Sequence, residues 1–164
     1  MKAKKSFGQH FLINEGMSAD IASSLQMTGD IKNVLEIGPG KGVLTKYLAK
    51  QDTNFKVVEA DQDMVAYLID HKVLQQDQII FLDFLKLNLL KVFDGQPFCL
   101  IGNYPYNISS QILIKMVNHA EMVPEMVGMF QKEVAERAAS KEGSKVYGVL
   151  SVLMQAYYEI EYLF

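Results

Sequence analysis

Short apolar runs alternate with amphipathic helical patterns along this chain, and this alternation restricts the possible folds more than any other feature. The pattern predicts strands at 34–37, 55–59, 79–82, 98–102 and 126–130. It predicts helices over 14–29, 43–50, 64–72, 108–118 and 149–157, with a further charged helix after residue 130. Strands that alternate with helices indicate an α/β fold, in which a mostly parallel sheet has helices on both faces.

Length and composition favour one domain with one core. The chain has 164 residues, of which 49% are hydrophobic, and a formal net charge of −3. No run of apolar residues is long enough to predict a membrane span or a secretory signal, so we expect a cytosolic protein. Cys99 lies alone inside a predicted strand and is interpreted as a core residue. The net charge does not favour a uniformly basic nucleic-acid-binding protein, although basic residues cluster locally.

A glycine-rich loop, Gly38-Pro39-Gly40-Lys41-Gly42, follows the first predicted strand directly. Glu59 ends the second predicted strand, where nucleotide-binding α/β folds place an acid that binds ribose hydroxyls. The dinucleotide fingerprint would require glycine at position 43, which is Val43 here. Glu36 just before the loop also disfavours an anionic pyrophosphate. The loop therefore favours a positively charged sulfonium cofactor that has no phosphates.

The tetrad Asn103-Tyr104-Pro105-Tyr106 follows the fourth predicted strand. Pro105 holds the backbone extended, so the carbonyl of Tyr104 can accept a hydrogen bond beside the side-chain oxygen of Asn103. Two neutral acceptors next to the ring of Tyr106 suit a planar group with an exocyclic amine, and adenine has that form. An isolated Asn-x-Pro-Tyr is more often a simple turn, so the interpretation depends on its surroundings.

Asp83 follows the third predicted strand and completes a set of polar residues at the same edge of the sheet. In open α/β sheets this edge, at the carboxyl ends of the strands, is where ligands bind. A carboxylate there can accept a hydrogen bond from an adenine amine. Each acid taken alone is more simply explained as a helix cap or turn residue, but acids at the ends of all three strands indicate a site.

With these motifs in place, the sequence resembles the S-adenosylmethionine-dependent ribosomal RNA adenine N6-dimethyltransferases. It is most similar to the branch that dimethylates two adjacent adenosines near the 3′ end of small-subunit ribosomal RNA. The resemblance implies a Rossmann-like class I S-adenosylmethionine-dependent methyltransferase fold. The segments that carry it are 7–12, 36–40, Glu59, 83–84, 103–106 and 131–137.

The resemblance also implies roles for individual residues. His10 and Leu12 would flank the cofactor, and Gly38 would lie under its methionine part. Gly40 would also bind the cofactor, Glu59 would bind its ribose and Asp83 its adenine amine. Asn103 would contact both cofactor and target, and Tyr104 and Tyr106 would complete the catalytic tetrad. Position 10 is commonly Asn in the family and position 104 is commonly Leu or Ile, so His10 and Tyr104 depart from the pattern.

The family is about a hundred residues longer than this chain. The resemblance therefore implies that residues 1–164 are the N-terminal catalytic domain, without the last strands and without a C-terminal helical domain that grips RNA. Residues 159–164 alternate apolar and charged side chains and predict a strand. Because its partner strand would follow residue 164, we expect this segment to fray, to rearrange or to pair with another chain.

Two other classes of function stay open from the sequence. The chain could belong to an RNA-binding ribosome assembly factor for which methylation is incidental, although a pure binder has no chemical need of the tetrad at 103–106. A nicotinamide-dependent dehydrogenase is the third possibility, and Val43 disfavours it. The expected partners are small-subunit ribosomal RNA and the immature small subunit, with no membrane and no metal.

Overall fold

The structure, a computed structural model, describes residues 15–163. Five strands form one parallel sheet in the order β3-β2-β1-β4-β5. They are β1 Asn33–Ile37, β2 Asn54–Glu59, β3 Ile79–Phe81, β4 Cys99–Asn103 and β5 Glu125–Met129. The predicted α/β class and all five predicted strands are confirmed, with no end shifted by more than one residue.

Seven α-helices accompany the sheet in the described part of the chain. They are α1 Glu15–Ser23, α2 Thr45–Leu48, α3 Gln62–Asp70, α4 Leu89–Val92, α5 Ser109–Asn118, α6 Lys132–Ala139 and α7 Val149–Tyr157. Three short 3₁₀ turns, Gln76–Gln78, Phe84–Lys86 and Tyr106–Ile108, lie between them. No helix within residues 15–163 is long and apolar enough to cross a membrane.

The central strands β1, β2 and β4 are largely buried on both faces, as their sequences predict, whereas the edge strands β3 and β5 are half-buried or exposed. Side chains of β1 alternate between two apolar clusters, with Leu35 in one and Val34 in the other. The first cluster includes residues of α4 and α5, and the second includes residues of α1 and the α2 region. Strands that are covered on both faces consist of continuous apolar residues, and this pattern predicts strands from the sequence.

The order of the strands reverses direction at β1. From β1 the chain proceeds outward through β2 and β3, and then returns so that β4 pairs with the other side of β1. The carboxyl ends of β1 and β4 therefore meet at a topological switch point, where the connecting chains diverge and leave a crevice. The glycine loop follows β1 and the tetrad begins at the last residue of β4, so both lie at this crevice.

Three sequence predictions about secondary structure are wrong. The first helix ends at Ser23 rather than near residue 29, and the second spans only Thr45–Leu48 of the predicted 43–50. Residues 159–163 form no strand, whereas the alternation predicted one over 159–164, whose last residue lies outside the described range. Alternation of side chains does not supply hydrogen-bonding partners, and no described strand pairs with this segment.

Candidate active site

The glycine loop and the tetrad lie side by side at the carboxyl ends of β1 and β4. Gly38 has a φ of +62° and Gly40 a φ of +56°, a backbone conformation that side chains disfavour. The Gly38 N–H donates to the carbonyl of Val58 at 2.9 Å, which fixes the start of the loop to β2. A Cβ added at Gly38 would lie 3.9 Å from Cγ of Pro105, the third residue of the tetrad. The structure thus brings together two segments that are separated by more than sixty positions in the sequence.

Glu59 connects the end of β2 to the same loop. Its side chain is buried, and its carboxylate accepts from the N–H of Gly40 at 3.2 Å and from the N–H of Asp61 at 3.0 Å. Burial raises the pKa of Glu59 above its usual value, and the two backbone N–H groups oppose that shift. The predicted neighbourhood of Glu59 and the glycine loop is therefore present, with the carboxylate at the crevice.

Glu36 is a buried acid whose state the sequence did not predict. Its carboxylate accepts from Oγ1 of Thr45 at 2.7 Å and is only 1% exposed. Burial raises its pKa to about 8, with Glu59 adding to the rise and the Thr45 hydrogen bond opposing it. Glu36 is thus largely protonated at neutral pH, so its own charge is not what disfavours a pyrophosphate on the loop.

Asn103 and Tyr106 lie on either side of the turn that leaves the sheet. Asn103 is the last residue of β4, and Tyr106 begins the 3₁₀ turn that leads into α5. Both side chains are half-buried. Pro105 between them has a φ of −59° and a ψ of 130°, so the backbone is extended there as its sequence predicted. Asn103 and Tyr106 therefore lie on one short segment at the carboxyl end of β4.

Tyr104 turns its side chain into the core. The ring is only 1% exposed, its hydroxyl donates to the carbonyl of Val127 at 2.7 Å, and it stacks on Phe130 with a centroid distance of 4.6 Å. The Tyr104 N–H donates to the carbonyl of Met129 at 3.1 Å, which extends the pairing of β4 with β5. The side chain thus anchors the tetrad to β5, and only the backbone of Tyr104 is available for chemistry at the crevice.

Asp83 follows β3 and caps the 3₁₀ turn Phe84–Lys86. Its Oδ1 accepts from the N–H of Leu85 at 2.9 Å, and the residue is half-buried. Asp83 is therefore a cap residue, as the sequence also suggested, and the cap uses one of its two carboxylate oxygens. A cap at this position does not conflict with ligand binding, because the second oxygen can serve as the acceptor.

His10 and Leu12 were predicted to flank the cofactor, and both lie outside the described residues. The other predicted site residues gather at the carboxyl edge of the sheet, along β1, β2, β3 and β4. The sequence did not identify Lys115 as a neighbour of this region. Its side chain reaches the Asp83 turn from α5, and a lysine in an amphipathic helix carries no local signal of such a contact.

The family model described as ribosomal RNA adenine dimethylase matches residues 1–164 of this chain. The chain belongs to the ribosomal RNA adenine dimethylase family. Among its relatives are proteins named ribosomal RNA small subunit methyltransferase A. The one from Bacteroides thetaiotaomicron is 54% identical over 164 residues, which are 100% of this chain and 61% of the relative. The one from Phocaeicola vulgatus is 52% identical, over 100% of this chain and 58% of the relative.

Two solved methyltransferase structures share this fold. A dimethyladenosine transferase from Plasmodium falciparum matches with a TM-score of 0.67 and 28% identity, over 89% of this chain and 52% of that one. The 23S rRNA methyltransferase ErmE matches with a TM-score of 0.63 and 26% identity, over 82% of this chain and 53% of that one. The Rossmann-like α/β architecture predicted for this family member is therefore confirmed. The chain spans about three fifths of the length of the curated relatives it matches.

Proposed function

We propose that this chain is the catalytic domain of an S-adenosylmethionine-dependent methyltransferase, spanning residues 1–164. The reaction is transfer of methyl groups to N6 of two adjacent adenosines near the 3′ end of small-subunit ribosomal RNA. One observation carries the proposal more than any other: the glycine loop, which Glu59 binds through Gly40, lies directly beside the tetrad at the carboxyl ends of β1 and β4. Groups suited to a nucleoside cofactor are therefore adjacent to groups suited to an adenine amine.

The residues present fit S-adenosylmethionine. The buried carboxylate of Glu59 would accept from the ribose hydroxyls, and the positive φ values of Gly38 and Gly40 keep the loop backbone open for the methionine part. Asp83 would accept from the adenine amine through Oδ2. His10 and Leu12 would complete the cofactor site. S-adenosylmethionine supplies an electrophilic methyl group on a sulfonium.

The tetrad supplies the groups that the target amine needs. Oδ1 of Asn103 and the carbonyl of Tyr104 would accept from the two N–H groups of the adenine N6 amine, while Tyr106 stacks on the base. Because the lone pair of that amine is delocalised into the ring, these hydrogen bonds favour a tetrahedral nitrogen and stabilise the positive charge that develops on it. The nitrogen–carbon bond forms as the carbon–sulfur bond breaks, and the amine then loses a proton to solvent. No strong base is needed.

The target must be an accessible adenosine. Removing a base from a stacked helix costs a few kcal/mol, and stacking on Tyr106 returns about 1–3 kcal/mol of that. We propose that the partner is small-subunit ribosomal RNA in an immature subunit. The test is transfer of labelled methyl groups from S-adenosylmethionine to small subunits that lack this modification, with dimethyladenosine identified in the digested RNA. Absence of transfer by the longest form of the protein would overturn the proposal.

Glu59→Ala is expected to weaken S-adenosylmethionine and S-adenosylhomocysteine to a similar extent, because both ligands carry the same ribose. Each hydrogen bond to a charged acceptor contributes roughly 1.5–3 kcal/mol, so the affinity should fall at least about tenfold for each ligand. Isothermal titration calorimetry measures both constants.

The control for this prediction separates binding from loop structure, because Glu59 also accepts from Gly40 and Asp61. Glu59→Gln keeps the size of the side chain and one acceptor oxygen, and thermal unfolding of both variants reports any loss of the fold. A change below twofold for both ligands in a folded Glu59→Ala protein would show that Glu59 is only a turn residue.

A further inference from the structure

Lys115 holds the turn that begins at Asp83. Its ammonium nitrogen donates to the carbonyl of Phe84 at 2.7 Å and to the carbonyl of Leu87 at 2.6 Å. The same nitrogen lies 4.9 Å from the centroid of the Phe84 ring, which is buried. One side chain therefore binds both ends of the 3₁₀ turn Phe84–Lys86.

The turn held in this way fixes the position of Asp83. The backbone carbonyl of Asp83 accepts from Lys86 at 3.0 Å, and its Oδ1 accepts from Leu85 at 2.9 Å, so the acid and the turn move as one unit. The carbonyl of Phe84 also accepts from the backbone N–H of Leu87 at 3.1 Å. Lys115 adds a second, charged donor to that carbonyl and so ties the turn to α5.

The helix that carries Lys115 begins directly after the tetrad. Helix α5 spans Ser109–Asn118, and the 3₁₀ turn that starts at Tyr106 leads into it. The residue proposed for the cofactor's adenine and the residues proposed for the target base are thereby linked through one side chain. Electrostatics agrees with this connection: burial lowers the pKa of Lys115, and the charge of Asp83 opposes that shift.

We propose that Lys115 is a positioning residue that sets the Asp83 carboxylate against the adenine amine of the cofactor. The inference rests on the proposed function, since it concerns the ligand that Asp83 would bind. Lys115 has no contact with the ligand in this account. Its effect on affinity should therefore pass entirely through Asp83, which separates positioning from a general contribution to stability.

The chain offers a matched control in Lys56 on β2. Its nitrogen donates to the carbonyl of Val92 at 2.8 Å and lies 5.0 Å from the centroid of the Phe93 ring. Both lysines are half-buried, and both bind a backbone carbonyl beside a phenylalanine. Lys56, however, contacts α4 and the residue after it rather than the turn at Asp83. Lys56→Met removes a comparable interaction without touching that turn.

The experiment compares S-adenosylhomocysteine with its analogue in which inosine replaces adenosine, by calorimetric titration of the 164-residue chain. The wild-type protein should prefer the adenosine compound, because the carbonyl of hypoxanthine gives Asp83 no amine to bind. Lys115→Met should weaken the adenosine compound by about five- to twentyfold and the inosine compound by less than twofold. Lys56→Met should leave both affinities within twofold at a comparable loss of thermal stability.

A double-mutant cycle completes the test. In an Asp83→Ala background, Lys115→Met should cause less than a twofold further loss of affinity, because the group it positions is gone. Lys115→Arg keeps N–H donors for both carbonyls, so its affinity for the adenosine compound should stay within threefold of the wild type. This variant replaces Lys115→Met in the test if the methionine variant does not fold. Equal weakening of both ligands, or additive losses in the cycle, would overturn the positioning role alone. A wild-type chain that binds neither ligand would overturn the proposed function itself.

Discussion

Asn103→Ala is expected to abolish methyl transfer while cofactor affinity stays within about tenfold of the wild type. The Asn103 side chain would accept from the target amine as positive charge develops there, and removing one such preorganised group commonly costs a hundredfold to a thousandfold in rate. The cofactor would keep its proposed contacts with the glycine loop, Glu59 and Asp83. Single-turnover transfer to unmodified small subunits, by the longest form of the protein, measures the rate.

Asn118→Ala is the matched control, because Asn118 ends α5 on an exposed surface. It should retain the wild-type rate. Turnover by Asn103→Ala within a few fold of the wild type would contradict the catalytic assignment. A loss of cofactor affinity well beyond tenfold would instead make Asn103 chiefly a cofactor residue.

Gly128→Ala is expected to destabilise the fold by about 3 kcal/mol or more. Gly128 pairs with Gly102 across β4 and β5, and an added Cβ would lie well under 3.0 Å from the carbonyl oxygen of Gly102 and from the ring of Tyr104. Neither group can retreat cheaply, since one is backbone and the Tyr104 ring is buried against Phe130. Either the two strands separate or the ring leaves its place, and the tetrad shifts in both cases. Urea unfolding gives the free energy.

Gly148→Ala provides the comparison for that measurement. Gly148 has a φ of −159°, an extended conformation that any residue adopts, and a Cβ there would meet nothing within 4 Å. Its unfolding free energy should change by less than about 1 kcal/mol. A Gly128→Ala protein as stable as the wild type would show that the β4–β5 pairing yields more easily than its contacts indicate.

The sheet was predictable because its strands are buried on both faces. Apolar runs such as 98–102 lack the regularly spaced polar residues of a surface helix, so they are recognisable as buried strands. The residues that follow these runs mark the carboxyl edge of the sheet. The crevice residues Gly38, Glu59 and Asn103 follow from that edge alone. Helix ends were less predictable: α1 ends at Ser23 although the sequence offers Gly29 as a terminator, since packing rather than propensity decides where the last turn stops.

Interactions between distant side chains could not be predicted from local patterns. The raised pKa of Glu36 depends on its burial beside Glu59. The hydrogen bonds from Lys115 to the turn after Asp83 depend on how α5 packs. The close packing of the Tyr104 ring does have a sequence signal, which is Gly128. A glycine inside a strand often marks the close approach of another group. A glycine at this position predicts that another group approaches the strand closely, but it does not predict which group.

Calorimetric titration of the 164-residue chain with S-adenosylmethionine and with NAD tests the cofactor site most directly. The glycine loop, with Val43 in place of a third fingerprint glycine, predicts that S-adenosylmethionine binds, at one molecule per chain, and that NAD does not. Glu59→Ala in the same experiment should reduce the affinity at least about tenfold. Binding of NAD alone, with no heat from S-adenosylmethionine, would contradict the assignment of this crevice to a sulfonium cofactor.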